Sequence, residues 1–247
     1  MQLSSNTVLV TGGASGIGFA LAERFVAAGS NVIICGRRAE KLAEAKDRLP
    51  HVKTLVCDLS KASERSSLAA WVVREHPRLN VLINNAGIQR YPKLDQVTDA
   101  DWPETEEEIA INFEAPVHLS ALFIPHLKQQ KSPVIVNVTS GLSFTPLAKA
   151  PVYCATKAAM HSFTLSLRHQ LKDTPIRVVE LIPPAVDTDL GGPGLHTFGV
   201  KLEEFIAAAM PRIEAGDQEV AYGFAAQSSR GSRGELDAMF EKMNQAR

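Results

Sequence analysis

Six short runs of β-branched and aliphatic residues recur along the chain, and a stretch with helical spacing follows each of them. The runs are apolar at nearly every position instead of alternating, which is typical of strands covered on both faces. They are TVLVTG (Thr7–Gly12), NVIICG (Asn31–Gly36), VKTLVCD (Val52–Asp58), LNVLINN (Leu79–Asn85), PVIVNVTS (Pro133–Ser140) and IRVVELIP (Ile176–Pro183). Strands that alternate with helices form a parallel sheet through βαβ crossovers. The pattern predicts an α/β fold, a doubly wound parallel sheet with helices on both faces.

The 247 residues contain no internal repeat and no linker of domain-joining length, so we expect 1–247 to form a single domain. We interpret 190–215 as a substrate loop region. Its first part, LGGPGLHTFG (Leu190–Gly199), is glycine-rich, lacks periodicity and follows the sixth strand, where open α/β sheets bind ligands. GDQEVAYG (Gly216–Gly223) is the candidate for a seventh strand. Residues 228–247 are a polar, weakly helical C-terminal tail that we expect at the surface.

The charge balance and the cysteines limit the partners and the compartment. Lys and Arg number 26 against 27 Asp and Glu, and this balance argues against nucleic acid or an anionic membrane as a partner. Cys35, Cys57 and Cys154 are far apart, which is typical of unpaired thiols in a reducing compartment. MQLSSNTVLV has no secretory pattern, and no apolar run reaches the roughly 20 residues of a membrane span. We expect a cytoplasmic protein.

The first strand leads directly into TGGASGIG (Thr11–Gly18) and then into a helix. Gly12, Gly16 and Gly18 allow a tight turn and close approach of the backbone to a pyrophosphate. The helix N-terminus adds free N–H groups and a positive dipole end. The spacing is G-x-x-x-G-x-G rather than the commoner G-x-G-x-x-G, and glycine turns also occur where nothing binds. Its place between strand and helix favours a Rossmann-type dinucleotide site.

The second strand ends in Cys35-Gly36-Arg37-Arg38. No carboxylate stands there to bind the adenosine ribose hydroxyls, whereas guanidinium groups pair bidentately with phosphate. The sequence therefore favours NADP(H) over NAD(H). The alternative is that the two arginines open a solvated helix, which leaves an NAD-dependent enzyme open.

VYCATK (Val152–Lys157) stands at the head of a helix after the fifth strand, so Tyr153 and Lys157 share one helix face. A nearby ammonium favours phenolate and lowers a tyrosine pKa from about 10 toward neutral pH. Such a tyrosine protonates a carbonyl oxygen or accepts the proton of an alcohol. Ser140, at the end of the fifth strand, can donate a hydrogen bond to the same oxygen. Taken singly, each motif is frequent by chance.

These motifs, with Asp58 after strand three, NNAG at Asn84–Gly87 and Asn112, together resemble the short-chain dehydrogenase/reductase family. The resemblance covers about Asn6 to Leu190. Within the family, the runs IAINFEAPVHLSALFIPHL, SGLSF and PVYCATKAAMHSFTLSLRHQL resemble the DltE-type oxidoreductases. That branch is bacterial and cytoplasmic, and its name identifies no substrate.

The resemblance implies a set of catalytic and cofactor-binding residues. Tyr153 is the expected general acid/base, and Lys157 is expected to lower its pKa and bind the nicotinamide ribose. Ser140 is expected to orient the substrate oxygen, and Asn112 to support a water-mediated proton relay toward Lys157. The implied cofactor-binding residues are Gly12, Ser15, Gly16, Ile17, Gly18, Arg37, Arg38, Asp58, Leu59, Asn85, Ala86, Gly87, Tyr153, Lys157, Val186 and Thr188.

Two departures from the family pattern bear on the site and the assembly. Pro183-Pro184 replaces the usual Pro-Gly after strand six, which stiffens the backbone and removes one N–H. The chain also lacks the usual glycine-rich ending of strand seven, a region that family tetramers often use. We therefore expect a homodimer through the helices that carry Asn112 and Tyr153, with a homotetramer as the alternative.

The remaining candidates are interpreted as packing or surface residues, and no metal site is expected. The histidines lack a metal-ligand pattern and are expected to pack, as are the two tryptophans. Cys154 is expected to point away from the catalytic side of its helix. The acidic segment Glu104–Glu108 is interpreted as a solvated first helical turn. The histidines and tryptophans concerned are His118, His126, His161, His169, Trp71 and Trp102.

We expect an NADP(H)-dependent oxidoreductase that interconverts a carbonyl and a secondary alcohol on a small-molecule substrate. The alternatives are an NAD-dependent alcohol dehydrogenase and a dinucleotide-binding sensor or scaffold without turnover. The intact Ser140, Tyr153 and Lys157 argue against the sensor. A partly apolar substrate pocket is expected from Phe144, Leu147, Leu195, His196 and Phe198.

Overall fold

Seven parallel strands form the sheet of the computed structural model, which describes residues 2–245. They are β1 (Thr7–Thr11), β2 (Asn31–Gly36), β3 (Lys53–Val56), β4 (Val81–Asn84), β5 (Val134–Val138), β6 (Arg177–Ile182) and β7 (Glu219–Ala221). Their spatial order is β3-β2-β1-β4-β5-β6-β7, with every neighbouring pair parallel. The predicted doubly wound sheet is confirmed, and the seventh strand lies within GDQEVAYG.

Nine α-helices connect or flank these strands within the described residues. They are α1 (Gly16–Ala27), α2 (Ala39–Arg48), α3 (Ala62–Glu75), α4 (Trp102–Ile109), α5 (Ala115–Leu127), α6 (Pro151–Gln170), α7 (Leu202–Ala215), α8 (Phe224–Ser228) and α9 (Arg233–Asn244). A π-helical turn, Ala110–Glu114, joins α4 to α5 without a break. No helix within residues 2–245 combines the length and apolar character of a membrane span.

Successive residues of a strand pack into two apolar layers, one on each face of the sheet. On β1, Val8 and Val10 pack with α1, α2 and α7, whereas Leu9 packs on the other face with α3, α5 and α6. All three side chains are fully buried. Successive residues of a strand point to opposite faces of the sheet. A strand between two helix layers therefore needs apolar residues at every position. This explains the uninterrupted apolar runs in the sequence.

The strand order reverses direction between β1 and β4, which are neighbours in the sheet although β2 and β3 lie between them in sequence. The connections from these two strands therefore leave on opposite faces and open a crevice at the carboxyl edge of the sheet. Because all the strands are parallel, every loop that follows a strand begins at this edge. The fold thus places the site at the β1–β4 junction.

Three predictions about local structure are wrong. Residues 190–215 are a loop only in their first part, because Phe205, Ala209 and Ile213 bury one face of helix α7. Trp102 does not pack, since it begins α4 with 46% of its surface exposed. The acidic segment is not simply solvated, because Glu108 is fully buried.

The C-terminal tail is dominated by α9, a regular helix of three turns where the sequence predicts only weak helicity. Ser232 and Glu235 form a reciprocal capping box at the start of α9, which satisfies two N–H groups of its first turn. None of the residues of α9 is fully buried. Residues 246 and 247, at the end of the predicted tail, lie outside the described residues.

Candidate active site

The turn between β1 and α1 depends on glycine at position 12. Gly12 has a φ of +64°, and a Cβ there would lie 2.8 Å from Ala86 Cα. The Gly12 N–H donates to Cys35 O at 2.9 Å. The Asn85 side-chain amide donates to the carbonyl oxygens of Thr11 (2.9 Å) and Gly12 (3.2 Å). The end of β4 therefore holds the turn, and both conformation and space require glycine.

The N-terminus of α1 opens onto the cleft beside this turn. Ser15 is the N-cap residue, and its side chain makes no capping hydrogen bond. Ser15, Gly16 and Ile17 line the cleft. The first N–H groups of a helix and the positive end of its dipole are suited to phosphate oxygens. The uncapped helix end and the glycine cradle together fit the pyrophosphate of a dinucleotide.

The residues that follow β2 line another part of the cleft. Arg37 and Arg38 follow this strand, and both line the cleft. Arg38 is exposed and is the N-cap residue of α2. Arg37 forms an ion pair with Glu107 of α4, and Glu107 also pairs with Arg90. The sequence shows no acid beside the two arginines, but the fold brings one to Arg37 from a distant helix.

Tyr153, Lys157 and Ser140 are buried and line the cleft together. Lys157 Nζ donates to Val138 O at 2.9 Å and stands 5.7 Å from the centroid of the Tyr153 ring. Ser140 Oγ accepts the N–H of Leu142 at 3.1 Å. A hydroxyl that accepts one hydrogen bond keeps its own proton to donate. The three predicted catalytic side chains thus lie in the wall of one cleft.

Burial has the largest effect on the pKa of Tyr153 in this structure, and the predicted lowering of this pKa by Lys157 stays a prediction. Burial raises the pKa of the Tyr153 phenol, and its hydrogen bond with Ser140 only partly opposes this. Burial also lowers the pKa of Lys157 to about 8, and its ammonium is directed to Val138 O. The phenol is therefore protonated at neutral pH, which is the state that donates a proton to a carbonyl oxygen.

Asn112 lies in the π-helical turn and ties it to the segment after β4. Its Nδ2 donates to Ile88 O at 2.8 Å, and its Oδ1 accepts the N–H of Ile88 at 2.9 Å. A Cβ on Gly87 would lie 3.4 Å from Asn112 Oδ1 and 3.7 Å from Lys157 Nζ. The absence of a side chain at position 87 leaves a gap between these two groups, as a water-mediated relay requires.

A cleft of about 2120 Å³ along the carboxyl edge of the sheet brings together most of the predicted cofactor residues. Those that line it are Gly12, Ser15, Gly16, Ile17, Arg37, Arg38, Asp58, Leu59, Asn85, Ala86, Gly87, Tyr153, Lys157, Val186 and Thr188. Gly18 is not part of the lining, because it packs under the turn, where a Cβ would lie 2.5 Å from Gly12 O. Asn112 is also not part of the lining of the cleft.

Three of the five residues predicted to form the substrate pocket line the cleft, and two do not. Leu147, His196 and Phe198 line the cleft. Phe144 instead stacks edge-on against His161, with ring centroids 4.6 Å apart. Leu195 is exposed and outside the lining. The substrate end of the cleft is therefore built from fewer loop residues than the sequence suggests.

Two buried polar residues near the site, Glu108 and Asn137, lie outside the sequence motifs. Glu108 Oε1 accepts the N–H of Arg90 at 3.2 Å, and Oε2 has no hydrogen-bond partner within residues 2–245. Burial raises the pKa of Glu108 to about 6. Asn84 and Asn137 hydrogen-bond each other at 2.8 Å between β4 and β5. A polar residue inside an apolar strand is the signal that could have identified this pair.

A buried ion pair lies directly behind Ser140. Glu180 of β6 is fully buried, and both of its carboxylate oxygens are 3.0 Å from His161 Nδ1. Thr139 Oγ1 donates to the same carboxylate at 2.7 Å. The hydrogen bond to Glu180 raises the pKa of His161, although burial opposes the shift. His161 is therefore a packed histidine, as predicted, with a charge partner.

We expect His161→Gln to destabilise the protein by about 2 kcal/mol at low pH, because a charged hydrogen bond is lost. Since the pKa of His161 is higher in the folded state, its stabilising effect is complete below about pH 6.5 and is lost as pH rises through the folded-state value. Urea unfolding across this range measures the difference. His169→Gln, an exposed position on the same helix, is the control. A difference that grows with pH contradicts the assignment.

Comparison with known proteins identifies the family. The sequence profile of the short chain dehydrogenases matches residues 6–195, which are most of the chain. The chain belongs to this family. Its members are oxidoreductases that act on CH–OH and carbonyl groups, and this short-chain dehydrogenase is one of them. The uncharacterized oxidoreductase DltE of Bacillus subtilis is 47% identical to it over 249 residues, which cover 99% of this chain and 98% of that protein.

Two solved structures show the same fold with different cofactors. A metagenomic short-chain oxidoreductase in complex with NADP is 29% identical, with a TM-score of 0.68, and the match covers 74% of this chain and 84% of that one. A short-chain dehydrogenase/reductase from Burkholderia phymatum in complex with NAD is 19% identical, with a TM-score of 0.84, and the match covers 100% and 98%. Similarity of fold alone therefore does not identify which of the two cofactors this protein binds.

Proposed function

We propose that this short-chain dehydrogenase interconverts a carbonyl and a secondary alcohol with NADP(H). The observation that carries the proposal is the group of Tyr153, Ser140 and Lys157, buried together in the wall of a cleft that fits a dinucleotide. The Tyr153 phenol donates a proton to the carbonyl oxygen in reduction and accepts one from the alcohol in oxidation.

Each residue has a separate task in this proposal. Tyr153 donates its proton to the carbonyl oxygen, and the Ser140 hydroxyl donates a hydrogen bond to the same oxygen. Lys157 and Asn112 flank the gap at Gly87 and return a proton to the phenol through water. A bound NADPH supplies the hydride. The glycine turn and the N-terminus of α1 hold its pyrophosphate.

The choice of NADP(H) rests on the end of β2. Arg38 is exposed at the cleft and forms no ion pair with another residue in 2–245, so its guanidinium is free for a phosphate. The NADP-bound relative supports the same choice. The second candidate is an NAD-dependent alcohol dehydrogenase. It is favoured by Glu107, whose carboxylate already neutralises Arg37.

A screen of aldehydes and ketones, followed by the absorbance of NADPH and of NADH, tests the proposal. We expect turnover of at least one carbonyl class, with a higher kcat/KM for NADPH than for NADH. A higher kcat/KM for NADH supports the second candidate. Tight binding of NADPH without turnover of any carbonyl or alcohol contradicts an enzymatic role and supports a dinucleotide sensor or scaffold.

We also propose a cytoplasmic homodimer formed by the α5 and α6 helices, with a homotetramer as the alternative. Leu165 of α6 is 41% exposed, so its apolar side chain is available for a contact between subunits. Sedimentation equilibrium of the wild type and of Leu165→Glu tests this surface. Unchanged dimerisation of the variant contradicts it.

A further inference from the structure

Helix α9 lies across the substrate end of the cleft, beside the segment that precedes the catalytic helix. Asn244 Nδ2 donates to Pro146 O at 3.0 Å, and Asn244 Oδ1 accepts the N–H of Ala148 at 2.6 Å. One side chain thus bridges α9 to this segment. Leu147, between the two bonded residues, packs against the apolar cluster around Tyr153. The bridge therefore places α9 near the catalytic tyrosine.

Helix α9 presents two methionines to the cleft. Met239 and Met243 are four residues apart, so they lie on one face of the helix, and both line the cleft. Methionine side chains adapt their shape to apolar groups of different outline. Leu142 and Leu147 line the same part of the cleft. The apolar part of a substrate bound here would contact the methionines of α9 on one side and the two leucines on the other.

Two lysines stand at the rim of this apolar surface. Lys149 and Lys242 line the cleft and are exposed. Lys149 Nζ lies 5.3 Å from the centroid of the Tyr91 ring, and Tyr91 packs against the Tyr153 cluster. The lysines that form ion pairs within residues 2–245 are Lys41, Lys61 and Lys201. Lys149 and Lys242 therefore have no carboxylate partner there.

The segments 140–149 and 224–245 contribute no carboxylate to the lining of the cleft in the part of the chain that the structure describes. The residues that line it from the segments 140–149 and 224–245 are apolar, uncharged polar or lysine. The acidic lining residues come instead from α1, α2, α7 and the strand-end loops, and one of them, Asp189, adjoins Leu190, which packs against the Tyr153 cluster. The family profile ends at residue 195. The positive rim is thus built partly outside the segment that the family shares.

We propose that Lys149 and Lys242 bind an anionic group of the substrate, a carboxylate or a phosphate, while its apolar body lies along Met239 and Met243. This rests on the proposed function, which places the carbonyl group at Tyr153. The substrate class is therefore an aldehyde or ketone whose apolar chain ends in an anion. Two ammonium groups without partners attract such an anion and hold the carbonyl end toward the phenol.

Matched keto acids and keto esters test the proposal in steady-state kinetics. The probes are straight-chain methyl ketones that end in a carboxylate, with two to eight methylene groups, and their methyl esters, each with NADPH. We expect the wild type to prefer the acid in kcat/KM by about tenfold at its best chain length. The double variant Lys149→Gln, Lys242→Gln should lose this preference. Lys172→Gln, exposed and outside the cleft, is the matched control.

A binding measurement separates this inference from the proposed function. Hexanoate, hexyl phosphate and methyl hexanoate are titrated into the protein with NADP⁺ by calorimetry, which needs no turnover. We expect one or both anions to bind about tenfold more tightly than the ester, and the double variant to lose the difference. The stronger anion identifies the group.

The outcomes are distinct. Selective anion binding without any carbonyl turnover contradicts the proposed function and supports the anion site. Turnover of neutral ketones with equal binding of anions and ester overturns the anion site and leaves the proposed function standing. An acid preference that survives in the double variant also overturns it.

Discussion

Tyr153→Phe is expected to lower kcat for carbonyl reduction about a thousandfold, while NADPH binding is retained. The variant keeps the ring that packs beside Cys154 and Ala150 and removes only the hydroxyl. Positioned general acids contribute about 10²–10⁴ to the rate. The Ser140 hydroxyl still donates a hydrogen bond to the carbonyl, so a residual rate remains. Single-turnover decay of NADPH absorbance with the best carbonyl from the screen gives the measurement.

Tyr91→Phe is the matched control for this prediction. Tyr91 packs against the same cluster, so the variant removes a second hydroxyl from the same environment without removing the proton donor. Its rate is expected to stay within about threefold of the wild type, since it loses one modest interaction. Full turnover by Tyr153→Phe, or an equal loss in both variants, contradicts the assignment of Tyr153.

The strands and the glycine turn could be predicted because local sequence determines them. A strand between two helix layers must be apolar throughout, as Val8, Leu9 and Val10 are. The backbone at Gly12 requires a positive φ and leaves no room for a Cβ, so only glycine satisfies it. In both cases the tertiary structure restricts the residue type at one position or over a short run, so the sequence shows the requirement directly.

The acidic segment of α4 shows where local patterns fail. Thr105 and Glu108 form the buried face of this helix, whereas Glu106 is exposed. Helical periodicity is normally detected from apolar residues, and here the buried positions are polar. The partners that make burial possible, such as the N–H of Arg90, come from another part of the chain. The sequence therefore contains no sign that one glutamate differs from the next.

The position of the C-terminal helix could not be predicted for a related reason. No residue of α9 is fully buried, so its sequence carries only a weak apolar stripe. Its position depends on two hydrogen bonds from Asn244 to a segment almost one hundred residues earlier. Such contacts have no local signal. Sequence motifs locate the predicted catalytic residues, whereas they do not locate the part of the cleft wall that α9 forms.

Arg38→Gln is expected to lower kcat/KM for NADPH about thirtyfold, while kcat/KM for NADH changes less than about twofold, because a charged hydrogen bond contributes about 2 kcal/mol. Arg37→Gln should have a smaller effect, since Glu107 already neutralises that guanidinium. Arg78→Gln, exposed and outside the cleft, controls for the loss of one positive charge. Initial rates with both cofactors measure the ratio. Equal losses with NADPH and NADH would show that Arg38 supports the fold of the cleft rather than the 2′-phosphate, and would favour the NAD-dependent alternative.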